Sequence, residues 1–443
     1  MKTPLRLAGL FLFSALILPP STFSQGSLTP PGVPAPTFKT LQQIEPRIDL
    51  QNAPASAVTT SDPTFHYIIN QPGSYYLSAN ITATKTAGVR INAEGVTLDL
   101  NGFEISSPAG SGWGIEIVAT AHRATVRNGS IKNFSFGVRS VVSITPANGC
   151  AFRDLVVSGF TTYGIQAGEA ALVESCRAHD GSGVAAIYAF GGSILNNCTV
   201  MKNTTTQGIY ANRTSALNNC SVKENTGTYG IYTKESCALT NCSADDNDTD
   251  FGIFAESAST LHNCSAFRNT GGAAVSAGIG TGIASTISNC SSRNNDTSAI
   301  FSSTTGSGFN VGAGSSIQDC AAYSNRGAGI CVNGESSARD NQSSGNGTGD
   351  GAGIYVTGSD NRIDSNNVTG NDRGIEVDGT GNLIIRNSAS GNPPAANNLN
   401  YDIAGDNRYG PIEDITATGT AAVSGNAAAS TSGTNHPWAN FSY

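Results

Sequence analysis

Between residues 194 and 269 the apolar positions recur on a fixed clock. The stretch "LNNCSVKEN" (217–225) reads apolar, two variable residues, Cys, one variable, small apolar, two variable, Asn, and after a short gap Gly-Ile-aromatic follows. Cys176, Cys198, Cys220, Cys242 and Cys264 are each 22 residues apart, and Cys290 and Cys320 follow after 26 and 30, as if two units carried small insertions. Aligning "IDSNNVTGN" (363–371) puts Asn366 where Cys220 stands, and the same frame places Asn341 and Asn387 there. The closing Asn recurs at Asn203, Asn225, Asn247, Asn269, Asn295, Asn325, Asn346, Asn371 and Asn392.

No segment sustains a 3.6-residue period, and each unit is too short for a helix pair with its turns. The unit fits three short strands with period-two alternation, separated by Gly and Asn corners where a left-handed backbone costs little. One such coil cannot bury its apolar residues alone, so the pattern predicts a stack of coils with parallel, in-register strands. By alternation the Cys or Asn of each unit points inward at a corner. There an Asn can ladder its amide with the coils above and below, and a Cys is a small, readily buried filler. The alternative for the cysteines is disulfides between adjacent coils. Stacked parallel side chains hold their Cβ atoms too far apart for relaxed disulfide geometry, so stacked thiols are the expected state. Cys150, Cys237 and Cys331 fall outside this column and have no evident partner.

These units, together with "GVTLDLNGFEI" (95–105) and "ATVRNGSIKNFSFGV" (124–138), resemble the right-handed parallel β-helix proteins of the pectin-lyase-like superfamily over about residues 80 to 395. The resemblance implies an all-β fold: a right-handed parallel β-helix of about a dozen coils with N- and C-terminal caps. For function it implies contact with polysaccharide, since the fold hosts lyases, hydrolases, epimerases, tailspikes and adhesins. The hydrolases' Gly-His-Gly and Arg-Ile-Lys strings and the alginate epimerases' Asp-Pro-His-Asp string do not occur here.

The N-terminal pattern predicts a chain exported from the cytoplasm. Lys2 and Arg6 precede the apolar run "LAGLFLFSALIL", and small residues at Thr22 and Ser24 suit cleavage before Gln25, so residues 1–24 read as a secretory signal peptide. No later window holds an apolar run long enough to span a membrane. Removal of the signal peptide takes the formal charge from −8 to −10, a balance that excludes nucleic acid as a partner. Residues 25–80 read as a Pro-rich segment and N-terminal cap, 81–396 as the β-helix and 397–443 as a C-terminal cap. Within the first cap "TLQQIEPR" (40–47) is a helical candidate, and "FHYIINQPGSYYLSANIT" (65–82) reads as strands around a Pro-Gly turn. In the last, Trp438 and Phe441 are expected to fold back over the final coil.

Outward columns carry the candidate chemistry. The residue after each inward Ile faces solvent, which gives Tyr188, Tyr210, Tyr232 and Phe254 on consecutive coils, with Phe301 and Tyr355 farther along. Such a row offers a platform for the C–H faces of sugar rings, or simply stacks on itself and stiffens the coil. Equal offsets on adjacent coils pair Arg213 with Glu235, Lys234 with Glu256, Lys202 with Glu224, Lys223 with Asp245 and Asp246 with Arg268, all of opposite sign. Glu224 and Asp246 break the rule: two carboxylates about one strand spacing apart, compatible with a retaining glycosidase pair. With "DDNDTD" (245–250) alongside, Asp245, Asp246, Asp248 and Asp250 could hold a Ca2+ ion. A lyase would take its basic residue from Lys223, Arg268 or Arg293. The five histidines are too scattered for a zinc site. Two functions remain open: a secreted protein that binds an extracellular polysaccharide and, if it is an enzyme, processes it as a lyase or glycoside hydrolase with Glu224, Asp245, Asp246, Lys223 and Arg268 as catalytic candidates, or a non-catalytic structural or adhesive surface protein.

Overall fold

The computed structural model describes residues 47–142, 145–272, 276–296, 305–347, 351–392, 399–414 and 436–442. The proposed signal peptide, the helical candidate up to Pro46, and Phe301 lie outside the described residues. Arg47–Tyr443 forms one compact unit. Among the described residues its regular structure is all strand apart from a 3-10 turn at Leu50–Asn52.

Three strands make one coil. In a typical coil they are Thr226–Thr233, Ala238–Thr240 and Ser243–Asp245, and the next coil repeats them as Asp248–Ala255, Thr260–His262 and Ser265–Phe267. Each strand pairs in parallel with its counterpart one coil on, so like stacks on like: Ile209 on Ile231 on Ile253, Leu217 on Leu239 on Leu261, Val222 on Ala244 on Ala266. All nine of these side chains are buried, and one continuous apolar core runs through the unit. The chain is thus a parallel β-helix, a solenoid of about 14 turns.

Corners explain the rest of the repeat. Each coil turns three times, and at each turn one residue sits in the left-handed region: Thr214, Asn219 and Glu224 in one coil, Ser236, Asn241 and Asp246 in the next. The residue after each of these points inward, so three ladders of small or amide side chains line the corners. The Cys column forms the first: Cys290 Sγ accepts from the Cys264 N–H at 3.3 Å, and where the cysteines end Asn341 Oδ1 accepts from the Cys320 N–H at 3.0 Å. The closing Asn forms the second, unbroken from Asn203 to Asn392, with each amide donating to the next at 2.9–3.3 Å. Ser215, Cys237, Ser259, Ser285, Ser315, Ser336, Asn361 and Asn382 form the third. Cys237 therefore belongs to a ladder of its own rather than lacking a place. All ten cysteines are free and buried, and burial pushes the Cys150 and Cys331 thiols up to about 11 and about 12.

The Gly of Gly-Ile-aromatic is not a corner residue, contrary to expectation. Gly230 lies inside a strand, and a Cβ on it would sit 2.5 Å from the Gly252 carbonyl oxygen of the next coil. Glycine is there for close approach between backbones.

The parallel pairing also reaches beyond the residues expected to hold it. Within the segment read as a cap Ile48–Asp49 pairs in parallel with Ser74–Tyr76, and Phe65–Ile69 of that segment pairs in parallel with Ala87–Ile91 of the stretch read as β-helix. At the other end Asn440–Ser442 returns as a strand against Ser388–Ser390, and Asn440 Oδ1 extends the amide ladder from Asn387. Phe441 thus joins a rung, and the Trp438 side chain is exposed. Among the described residues no helix is long and apolar enough to cross a membrane.

Candidate functional site

Two features stand out on the outer faces, one on the long first strands and one on the short third strands.

On the first strands the predicted column forms. Tyr188, Tyr210, Tyr232 and Phe254 are in direct register, each half-buried by its neighbours, with ring centroids 4.6, 5.1 and 6.1 Å apart. The ridge is wider than that single recurring position implies. Tyr229 stacks on Tyr232 at 4.7 Å, Phe251 meets Phe254 at 4.9 Å, and Tyr163 and Phe136 continue the contacts from Tyr188 toward the N-terminal end. Tyr229 and Phe251 stand three residues before the expected rings, in "TYGIY" and "DFGIF", where the aromatic ahead of Gly-Ile is the signal that marks them. Rings thus run unbroken over six rungs from Phe136 to Phe254, on the order of 25 Å at strand spacing. Beyond Phe254 the register places Gly280, Asn310 and Cys331 before Tyr355, so Tyr355 is separate from the ridge.

On the preceding coils the same column passes through Gln166 to the charged residues Arg139, Glu116 and Arg90. Glu116, almost fully buried, lies between Arg90 and Arg139, and the Arg139 guanidinium lies 4.3 Å from the centre of the Trp113 ring.

Along the far border of the ridge, Glu169, Phe190, Asn212, Arg213 and Lys234 line a depression of about 310 Å³. Lys234 Nζ donates to Tyr232 Oη at 2.8 Å and to Glu256 at 2.6 Å, and the Tyr232 hydroxyl donates to Glu256 as well. Burial, joined for Tyr188 by the neighbouring Tyr210 and for Tyr232 by the bond to Glu256, pushes both phenols up to about 12. They stay protonated, and the ridge presents neutral rings edged with hydroxyl, amide and cationic donors.

On the third strands Lys223, Asp245, Asp246, Phe267, Arg268, Arg293 and Tyr323 surround a groove of about 610 Å³ floored by small residues such as Ser265 and Ser291. The structure brings four of the five catalytic candidates into this lining. Asp246 is held bidentately by Arg268 at 2.5 and 2.8 Å, and that bond keeps its carboxyl below the usual range. Burial pushes Asp245 the other way, with Asp246 adding to the rise and Ser243, Lys223 and Arg293 opposing it. Glu224 and Asp246 do occupy successive left-handed corners, but Lys223 Nζ stands between them, 3.3 Å from one carboxylate and 3.8 Å from the other. That ammonium explains why two like charges tolerate adjacency. It also corrects the expected pair of Lys223 with Asp245: the backbones are in register, yet the ammonium goes to the corner carboxylates. The pairs Arg213–Glu235, Lys234–Glu256, Lys202–Glu224 and Arg268–Asp246 form, at 2.6, 2.6, 3.9 and 2.5 Å.

The four aspartates read as a calcium set are divided by the inward Asn247. Asp245 ends a third strand and Asp246 is the corner, whereas Asp248 and Asp250 open the next long strand, where Asp250 accepts from the Gly272 N–H at 3.2 Å. Among the described residues no three His, Cys, Asp or Glu side chains converge as a metal-binding group.

Residues 140–283 match the family model described as "Right handed beta helix region", which covers the most regular coils and the whole stretch from Tyr163 to Phe254. Among curated proteins none matches the chain by sequence. Solved structures similar to it include the Azotobacter vinelandii mannuronan C-5 epimerase AlgE4 A-module, with 14% identity over 70% of this chain and 90% of that one and a TM-score of 0.49. The periplasmic alginate epimerase AlgG is 12% identical over 75% of this chain and 80% of that one, TM-score 0.38. The Dettilon tailspike protein gp208 is 14% identical over 77% of this chain and 61% of that one, TM-score 0.27.

Proposed function

We propose that this right-handed parallel β-helix is an exported protein that binds a polysaccharide along the ridge from Phe136 to Phe254. The observation that carries the reading is the unbroken row of neutral, half-exposed rings over six rungs, bordered by Asn212, Arg213 and Lys234. A sugar ring offers one apolar C–H face for stacking and a rim of hydroxyls for hydrogen bonds, and the ridge with its border supplies both. Repetition at strand spacing suits a ligand that is itself a repeating chain, because each added unit meets another ring and the contacts accumulate.

The test is affinity electrophoresis of the mature chain through gels carrying neutral or acidic polysaccharides. Wild type is retarded by at least one of them. The variant Tyr210→Ala with Tyr232→Ala loses at least a tenfold share of that affinity, about 1.4 kcal/mol. Equal retardation of the variant would leave the ridge as a stiffening device and the chain as a structural or adhesive protein.

Processing of the bound glycan is a second reading, favoured by one observation: two adjacent carboxyls are pushed in opposite directions, Asp245 up and Asp246 down. Incubating the chain with the retained polysaccharide, with and without calcium, and following unsaturated products tests it. Turnover that persists in Asp245→Asn with Asp246→Asn would clear both residues of a catalytic part, and turnover indifferent to a chelator would clear calcium.

A further inference from the structure

We infer that the groove on the third strands is a separate binding site for an anionic group carried on a ring, a carboxylate or a sulfate ester on a sugar. It lies on a different strand column from the ridge and does not depend on the ridge reading.

Arg293 is the anchor. Of the three cations around the groove, Lys223 is engaged by Glu224 and Asp246, and Arg268 is engaged by Asp246. The Arg293 guanidinium makes no hydrogen bond or ion pair among the described residues; it lies 4.3 Å from the centre of the Phe267 ring, which Arg268 approaches at 4.2 Å. That contact with the ring engages the guanidinium without using its N–H donors. A planar fork of free donors suits the two oxygens of a carboxylate or sulfate.

The rest of the groove fits the remainder of such a ligand. Tyr323 is 56% exposed at its border and in register with Arg293, so a ring whose anionic group sits on Arg293 meets an aromatic surface one rung away. Ser265 and Ser291 line the floor and offer hydroxyls. At about 610 Å³ the groove has the volume of a small-ligand site.

Calorimetric titration of the full chain with three oligosaccharides of equal length, one uronic, one sulfated and one neutral, tests the site. The uronic or the sulfated oligomer binds, Arg293→Gln weakens that binding at least tenfold, and excess neutral oligomer does not displace it. Arg293 is exposed, so its replacement leaves folding intact, which the unchanged melting temperature verifies. Which charged oligomer binds separates carboxylate from sulfate as the anion. Anion binding that survives Arg293→Gln, competition by the neutral oligomer, or no binding of either charged oligomer would overturn the inference. Because retention of neutral glycan is measured separately, failure here and failure of the ridge reading give different results.

Discussion

At the scale of single residues, the same amino acid has different consequences on the two sides of a corner. Asn225 is buried: its amide donates to Asn247, and its carbonyl oxygen accepts from both the side chain and the backbone N–H of Asn203. Asn241, at a left-handed corner, makes its amide bond to Asn219 in contact with solvent. Asn225→Ala is expected to cost about 2–3 kcal/mol in chemical denaturation, because it strands buried donors on Asn203. Asn241→Gly, which keeps the left-handed backbone at ease, should stay within about 0.5 kcal/mol of wild type. Asp364 gives a pH signature. Burial alone would raise its carboxyl, but hydrogen bonds from Arg386, Arg362 and Ser365 outweigh it and hold the group at about 2. A carboxyl lowered on folding contributes stability that is present above the ordinary carboxylate range and lost as pH falls through the folded value. Stability should therefore drop between about pH 4 and pH 2, with a slope shallower by up to about one proton in Asp364→Asn. An unchanged slope in the variant would contradict the assignment.

At the scale of the element, the repeat was legible because its inward positions obey simple rules. The Cys or Asn at one corner announced a ladder, and the alternation around "SVK" and "GIY" announced strands. The third corner was not legible: Ala171, Ser193, Ser215 and Cys237 share only small size, and Ser and Ala are too common elsewhere for the column to show. The role of the strand glycines is not legible in the sequence, because close approach between coils leaves the same mark as a turn. Gly230→Ala forces a methyl against the Gly252 carbonyl oxygen, and a drop of about 1–3 kcal/mol with intact secondary structure is expected in thermal or denaturant unfolding. Tyr229 and Phe251 escaped for a related reason. Strict alternation assigns the residue two before the inward Ile to the opposite face from the one that follows it, yet both rings reach the same ridge.

At the scale of the whole molecule, in-register stacking turns a short sequence motif into extended surfaces. One aromatic per coil becomes a ridge, and one charge per coil becomes a row of paired ions that individually contribute little. The ridge was legible in outline, since its column follows from a single recurring position. The groove was legible only as a cluster of charges: its depth comes from Ser265, Ser291 and Ala321, small residues whose effect on shape appears when coils are stacked. Whether the ridge is a polysaccharide platform is decided most plainly by oxidative footprinting of side chains with and without a saturating oligosaccharide. A glycan lying along the ridge protects Tyr188, Tyr210, Tyr232 and Phe254 together, graded toward the two ends. Unaltered oxidation at all four, with the oligosaccharide shown to be bound, would contradict it.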